Sequence, residues 1–166
     1  MRYLITFACY GAHLHGDETG SVDRHHNRYG SPGLTSDPQR ASAERQVMGH
    51  SPYLLDSRRR LVVLNVLRES CLHYGWTLLA AHVRTNHVHV VVEAAVPPEK
   101  AMHAFKSYAS RALNRLEPQS PGRKRWARHG STRWLWKDED VRAAMRYVVE
   151  HQGEPMAVFL ADEPAY

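Results

Sequence analysis

The segment Asn86-His87-Val88-His89-Val90-Val91-Val92-Glu93 constrains the fold more than any other stretch of the chain. Side chains of an extended strand alternate between two faces, so Val88, Val90 and Val92 line one face while His87 and His89 project together from the other. A strand this apolar belongs inside a sheet. The tight polar break Arg84-Thr85-Asn86 in front of it hands over from an earlier strand, Trp76 to His82, and the two together predict a β-hairpin. Tyr3, Ile5, Phe7 and Cys9 alternate with Leu4, Thr6 and Ala8 and predict a first strand.

Helical patterns separate these strands. From Asp56 to Tyr74, Leu61, Leu64, Val66, Leu67, Cys71 and Leu72 recur at three- and four-residue steps, and Gly75 closes the run. Pro97-Pro98 opens a second helix from about Glu99 to Leu116, and Asp138-Glu139-Asp140 places carboxylates at the start of a third, Val141 to Gln152, stopped by Gly153 and Pro155. Trp126 to Trp136, broken at Gly130, suits another hairpin. The order β, long loop, α, β, β, α, β, β, α predicts an α+β fold, an antiparallel sheet with helices packed mainly on one face, as a single domain over 1–166. A loop or insertion from about 16 to 50, rich in Gly, Pro, Ser, Asp, Arg and His, is a candidate binding loop.

With 22 Lys and Arg against 17 Asp and Glu, the net charge of +5 favours a polyanionic partner, nucleic acid first. No stretch approaches the ~20 apolar residues of a membrane span and no signal pattern opens the chain, so no membrane partner and a cytoplasmic location are expected. Cys9 and Cys71 alone exclude a disulfide framework and a cysteine-rich zinc site.

The twelve histidines matter only where they stand at ligand spacing. His87 and His89 share a strand face, and Tyr147 and His151 are four residues apart on the last helix, one turn above each other. Val141, Met145 and Val148 form a separate stripe that can anchor that helix to the sheet. Should the Tyr147/His151 face meet the His87/His89 face, three imidazoles could share a cation beside a phenol. Gln152, one residue further, is the other candidate third ligand. Taken singly, each has an ordinary reading, as half-exposed sheet histidines and a packed helix tyrosine. His13-Leu14-His15 repeats the His-x-His spelling in a turn-rich region outside any apolar strand. Tyr108 has Ala112 at its four-residue step, which cannot bind metal. Lys106, Arg111, Arg115, Arg123, Lys124, Arg125 and Arg128 form a candidate DNA track opposed only by Glu117. Trp126, Trp134 and Trp136 are available for base stacking, two of them expected in the core.

His87-Val88-His89 matches the histidine-hydrophobic-histidine element of the HUH single-strand nucleases. With Asn86 and the valine run, it resembles the single-tyrosine HUH transposases, the insertion-sequence type and their REP-associated relatives. Thr6-Phe7 through Tyr10-Gly11, Leu14-His15-Gly16-Asp17 and Lys106-Ser107-Tyr108 through Leu113-Asn114 resemble flanking parts of some members. The resemblance implies an RRM-like HUH nuclease fold, with Tyr147 as nucleophile. It also implies Mg²⁺ or Mn²⁺ on His87, His89 and His151, although the family usually carries Gln or Asn at that last position. The implied activity is nicking and joining of single-stranded or hairpin DNA through a 5′-phosphotyrosine intermediate, near the nucleoid, by a monomer or a homodimer. A non-catalytic DNA-binding module of the same fold, an RRM-like RNA-binding protein with structural histidines, and a nuclease that uses water are the other readings.

Overall fold

Among the described residues, eight elements follow one another: β1 (Arg2–Ala8), α1 (Ser57–Tyr74), β2 (Thr77–Val83), β3 (His87–Glu93), α2 (Pro98–Leu116), β4 (Ser131–Trp134), α3 (Asp138–Glu150) and β5 (Ala157–Leu160). The computed structural model describes residues 1–12 and 50–162. The expected excursion from about 16 to 50 and the His13/His15 pair lie outside the described residues. The strands form one sheet in the order β4-β1-β3-β2-β5, with every neighbouring pair antiparallel. The α+β fold read from the sequence is the fold observed.

Local chemistry sets the helix ends. Asp56 caps α1 by accepting the Arg59 amide at 2.9 Å, and Gly75 ends it with φ +72°, a left-handed turn that costs a glycine little. Asp138, Glu139 and Asp140 fill the first turn of α3, where carboxylates complement the helix dipole.

The valine face of β3 joins Tyr3, Ile5 and Phe7 of β1 against Val63, Leu67 and Cys71 of α1 and Phe105, Ala109 and Leu113 of α2. Leu61 and Leu72, which share the α1 pattern, are exposed. The other face carries a smaller core: Leu4, Leu79, Ala80 and Val91 under Val141, Ala144, Met145 and Val148 of α3. Two of the three helices among the described residues therefore cover one face. The third lies across the other, which is the face of His87 and His89.

Three sequence expectations need correction. Trp126 to Trp136 does not fold back on itself. Trp126 bridges to Cys9 and Ser131–Trp134 pairs with Tyr3–Thr6, so the whole segment runs along one strand, β1, with an irregular step at Arg128–Gly130. Neither Trp134 nor Trp136 is in the core. They stack at 5.0 Å on the surface, and only Trp126 is drawn inward, against Phe7 at 5.1 Å. Finally, β5 pairs with β2, a strand the sequence pattern did not signal.

Gly130 makes the irregular step possible. A Cβ there would stand 2.6 Å from Met102 Sδ and 2.6 Å from the Thr6 carbonyl oxygen, and the second contact is with sheet backbone that cannot swing aside. Gly130→Ala is expected to cost about 1–3 kcal/mol of stability by overpacking, read as a lower midpoint in urea.

Candidate active site

The register of the sheet builds the site. Thr6 of β1 pairs with His89 of β3, and His89 pairs with His82 of β2, so these three side chains form a row across the face that α3 covers. His87 lies two residues along the same strand. Its ring and that of His89 stand 5.9 Å apart and nearly parallel, with 8° between their planes. The strand period alone produces this pairing.

Each ring is oriented through Nδ1. His87 Nδ1 meets Asn86 Oδ1 at 2.5 Å, and His89 Nδ1 meets Thr6 Oγ1 at 3.1 Å. An amide oxygen can only accept, so Nδ1 of His87 is the donor in this bond, and in the neutral ring the lone pair then lies on Nε2. A threonine hydroxyl can accept the Nδ1 proton of His89 in the same way. Fixing one imidazole nitrogen through a polar partner is how metal-binding histidines are commonly oriented. The donor chemistry of the pair therefore fits a divalent cation.

Tyr147 approaches from α3. Its ring stands 6.3 Å from that of His89, edge to face at 85°. Val141, Met145 and Val148 form the anchoring stripe beside it, as the sequence spacing predicted. The helix ends at Glu150, and His151 is its C-cap, with φ −109° and ψ 20°. Its amide still donates to Tyr147 O at 3.1 Å, while the residue is exposed. Among the described residues no group of three His, Cys, Asp or Glu side chains is gathered to hold a metal. Gln152 folds back, its Nε2 donating to Tyr147 O at 3.4 Å.

The basic residues divide into two groups. Arg111, Arg115, Lys124 and Arg128 are exposed, with Arg111 lying over Tyr108 at 5.0 Å and Lys124 over Tyr10 at 5.7 Å. Arg123 is half-buried over Tyr53 at 5.3 Å. Lys106 and Arg125 point inward. Lys106 Nζ donates to the carbonyls of Ala127 and His129, and burial pushes its pKa down to about 8. Arg125 is 3% exposed and bonds Asn114 and Glu117. Lys106 braces the fold through main-chain carbonyls, and Arg125 through Asn114 and through Glu117 at the end of α2. Tyr108 lies on α2, against the opposite face of the sheet from the histidines, and accepts from the Tyr74 hydroxyl at 3.2 Å.

Sequence reasoning missed Thr6, Asn86 and His82 as parts of this site. Asn86 was signalled by adjacency to His87. The other two depend on strand register, which a single sequence does not display.

A family model described as the IS200-like transposases matches residues 51–149. The chain belongs to that family. The matched segment of this IS200-like transposase contains His87, His89 and Tyr147 and stops before His151 and Gln152. No curated protein matches the sequence. Among solved structures, a REP-associated tyrosine transposase bound to a REP hairpin overlaps 90% of this chain at 9% identity and TM-score 0.49. This chain spans 65% of that protein's length. A structure from Deinococcus radiodurans assigned as a transposase overlaps 92% of this chain and 90% of its own, at 16% identity and TM-score 0.47. Among the described residues, no helix is long and apolar enough to cross a membrane.

Proposed function

We propose that this IS200-like transposase nicks and rejoins single-stranded DNA through a covalent bond between Tyr147 and a 5′-phosphate. One observation carries the reading: the Tyr147 ring stands against His89 on the face where His87 and His89 project side by side. A Mg²⁺ or Mn²⁺ ion held by His87 and His89, with a third ligand from His151 or Gln152, would polarise a phosphodiester oxygen. Thr6 and Asn86 hold the two rings ready through Nδ1. The Tyr147 oxygen attacks phosphorus, an O–P bond forms, and the bond from phosphorus to the 3′-oxygen breaks. The phenol loses its proton and the departing 3′-oxygen gains one. Reversal onto another 3′-hydroxyl rejoins the strand without an external energy source, because the phosphotyrosine bond replaces the phosphodiester it consumed. In this reading Tyr147 acts beside His89 of its own chain.

The test is a single-stranded oligonucleotide carrying the hairpins that flank the gene, labelled at the 3′-end and incubated with Mn²⁺. Label that migrates with the protein on a denaturing gel, and is lost in His87→Ala and His89→Ala, supports the mechanism and its polarity. DNA that binds but never becomes attached, under any divalent ion, sinks the catalytic reading and leaves a DNA-binding module. Preference for RNA over DNA of equal length would favour an RRM-like role instead.

The exposed cations supply the DNA track in this reading. Lys124→Ala and Arg128→Ala are expected each to flatten the slope of log affinity against log salt by about 0.7, the value for one lost phosphate contact on a single strand. Their melting temperatures should be those of the wild type. An unchanged slope would take both residues out of the DNA path.

A further inference from the structure

His82 is fully buried between the sheet and α3, and the chemistry proposed above does not use it. Both of its ring nitrogens are engaged. Nδ1 donates to the Val148 carbonyl at 2.9 Å, and Nε2 accepts the Met156 amide at 3.0 Å. A ring that donates from one nitrogen and accepts at the other is the neutral form. Burial and the Arg84 guanidinium, 3.4 Å from Nε2, both hold its pKa below the ordinary histidine value.

The two partners bracket the end of the tyrosine helix. Val148 is in the last turn of α3, where carbonyls run out of intrahelical donors, and Met156 leads into β5. Arg84 Nη1 adds a third fastening by donating to Glu154 O at 2.9 Å. The register makes this arrangement specific to Tyr147. His82 stands directly across the ladder from His89. One member of that pair therefore holds the backbone of residue 148 while the other faces the ring of residue 147.

We propose that His82 is the positioning residue for Tyr147, fixing the height and rotation of the end of α3 over the His87/His89 pair by clasping Val148 and Met156. The proposal rests on the reading of Tyr147 as nucleophile. Its physical basis is that attack requires the reacting atoms in near-contact alignment, and displacement by about 1 Å can cost 100-fold in rate. A side chain that served packing alone would need no donor and acceptor on opposite sides.

The experiment compares His82→Leu, which fills the space without hydrogen bonds, with His82→Gln, whose amide both donates and accepts. Three quantities are read: the single-turnover rate of adduct formation at saturating DNA, DNA affinity, and hydrogen exchange of the Val148–Gln152 and Met156 amides. His82→Leu is expected to slow the adduct on the order of 10- to 100-fold with DNA affinity within about twofold, and His82→Gln to recover most of the rate. Exchange at Met156 should quicken in Leu and slow again in Gln. A wild-type rate in His82→Leu overturns the proposal, as does a Gln variant as slow as Leu. Should the Leu variant not fold, Gln alone decides, because near-wild-type turnover supports the clasp and about 100-fold slowing refutes it. Absence of any adduct in the wild type would defeat the Tyr147 reading itself. The exchange pattern would then show separately whether His82 holds the helix end.

Discussion

Tyr147→Phe is expected to lose the protein–DNA adduct altogether, a fall on the order of 10³- to 10⁶-fold, while the protein keeps its fold and its DNA affinity. The size follows from what the substitution removes. Phenylalanine keeps the ring that packs edge-on against His89 and takes away only the oxygen that would bond to phosphorus. Because Tyr147 is half-buried and Val141, Met145 and Val148 anchor α3, the change in stability should stay within about 1 kcal/mol. Tyr108→Phe is the matched control. It removes a hydroxyl bonded to Tyr74 on the other side of the sheet and should leave adduct formation unchanged. Undiminished cleavage by Tyr147→Phe would mean that water attacks the phosphodiester, and the histidine pair would then belong to a hydrolytic nuclease. Binding without cleavage in both proteins would mean a module that holds DNA and does not cut it.

The fold and the geometry of the candidate site were legible in the sequence wherever a local period decides the structure. The period of two in β3 places His87 and His89 on one face whatever the strand pairs with. The spacing of Val141, Met145 and Val148 likewise selects the buried side of α3. What depends on distant partners was not legible. Thr6 reaches His89 from 83 residues away. His82 looks like the polar end of a strand until β5 pairs beyond it and α3 lies above it. The four residues Ala157–Leu160, just after Pro155, carry too short a pattern to separate a strand from a tail, and the exposed edge of β2 recruits them. Trp126 to Trp136 resembles a hairpin because Gly130 resembles a turn. The glycine instead serves close approach to Thr6, and the segment follows β1 throughout. His151 lies at the limit of a local rule, since it caps the helix whose period places it above Tyr147.

The basic run is where the charge pattern misled most, and it yields the largest expected loss of stability. Glu117, at the end of α2, accepts from Arg59 Nε, from Arg125 Nη2 at 3.2 Å and from the Tyr53 hydroxyl at 3.3 Å. The Arg125 side chain is 1% exposed, and three guanidinium groups, of Arg59, Arg123 and Arg125, lie within 5.4 Å of the Tyr53 ring. Among the described residues Glu117 is the carboxylate hydrogen-bonded into this crowd, and Asp56 adds its charge at Arg59. Among the described residues, Glu117→Ala would leave buried Arg125 with the neutral oxygens of Asn114 and Arg123 to accept from it, at an expected cost of about 3–5 kcal/mol. Glu117→Gln keeps an acceptor without the charge and should fall between Ala and wild type. The exposed pair Lys137 and Glu139 is the contrast, since Glu139→Ala should change stability by no more than about 0.5 kcal/mol. Urea midpoints of the three variants check the order. The damage should also reach the candidate active site. The Tyr53 amide donates to Tyr10 O at 2.9 Å and the Leu55 amide to Thr85 O at 2.7 Å, so this cluster holds the 53–55 segment against the turn that presents Asn86 and His87. A Glu117→Ala protein that melted like the wild type would show that Arg125 can reach water, and the cluster would then be a surface network available to DNA.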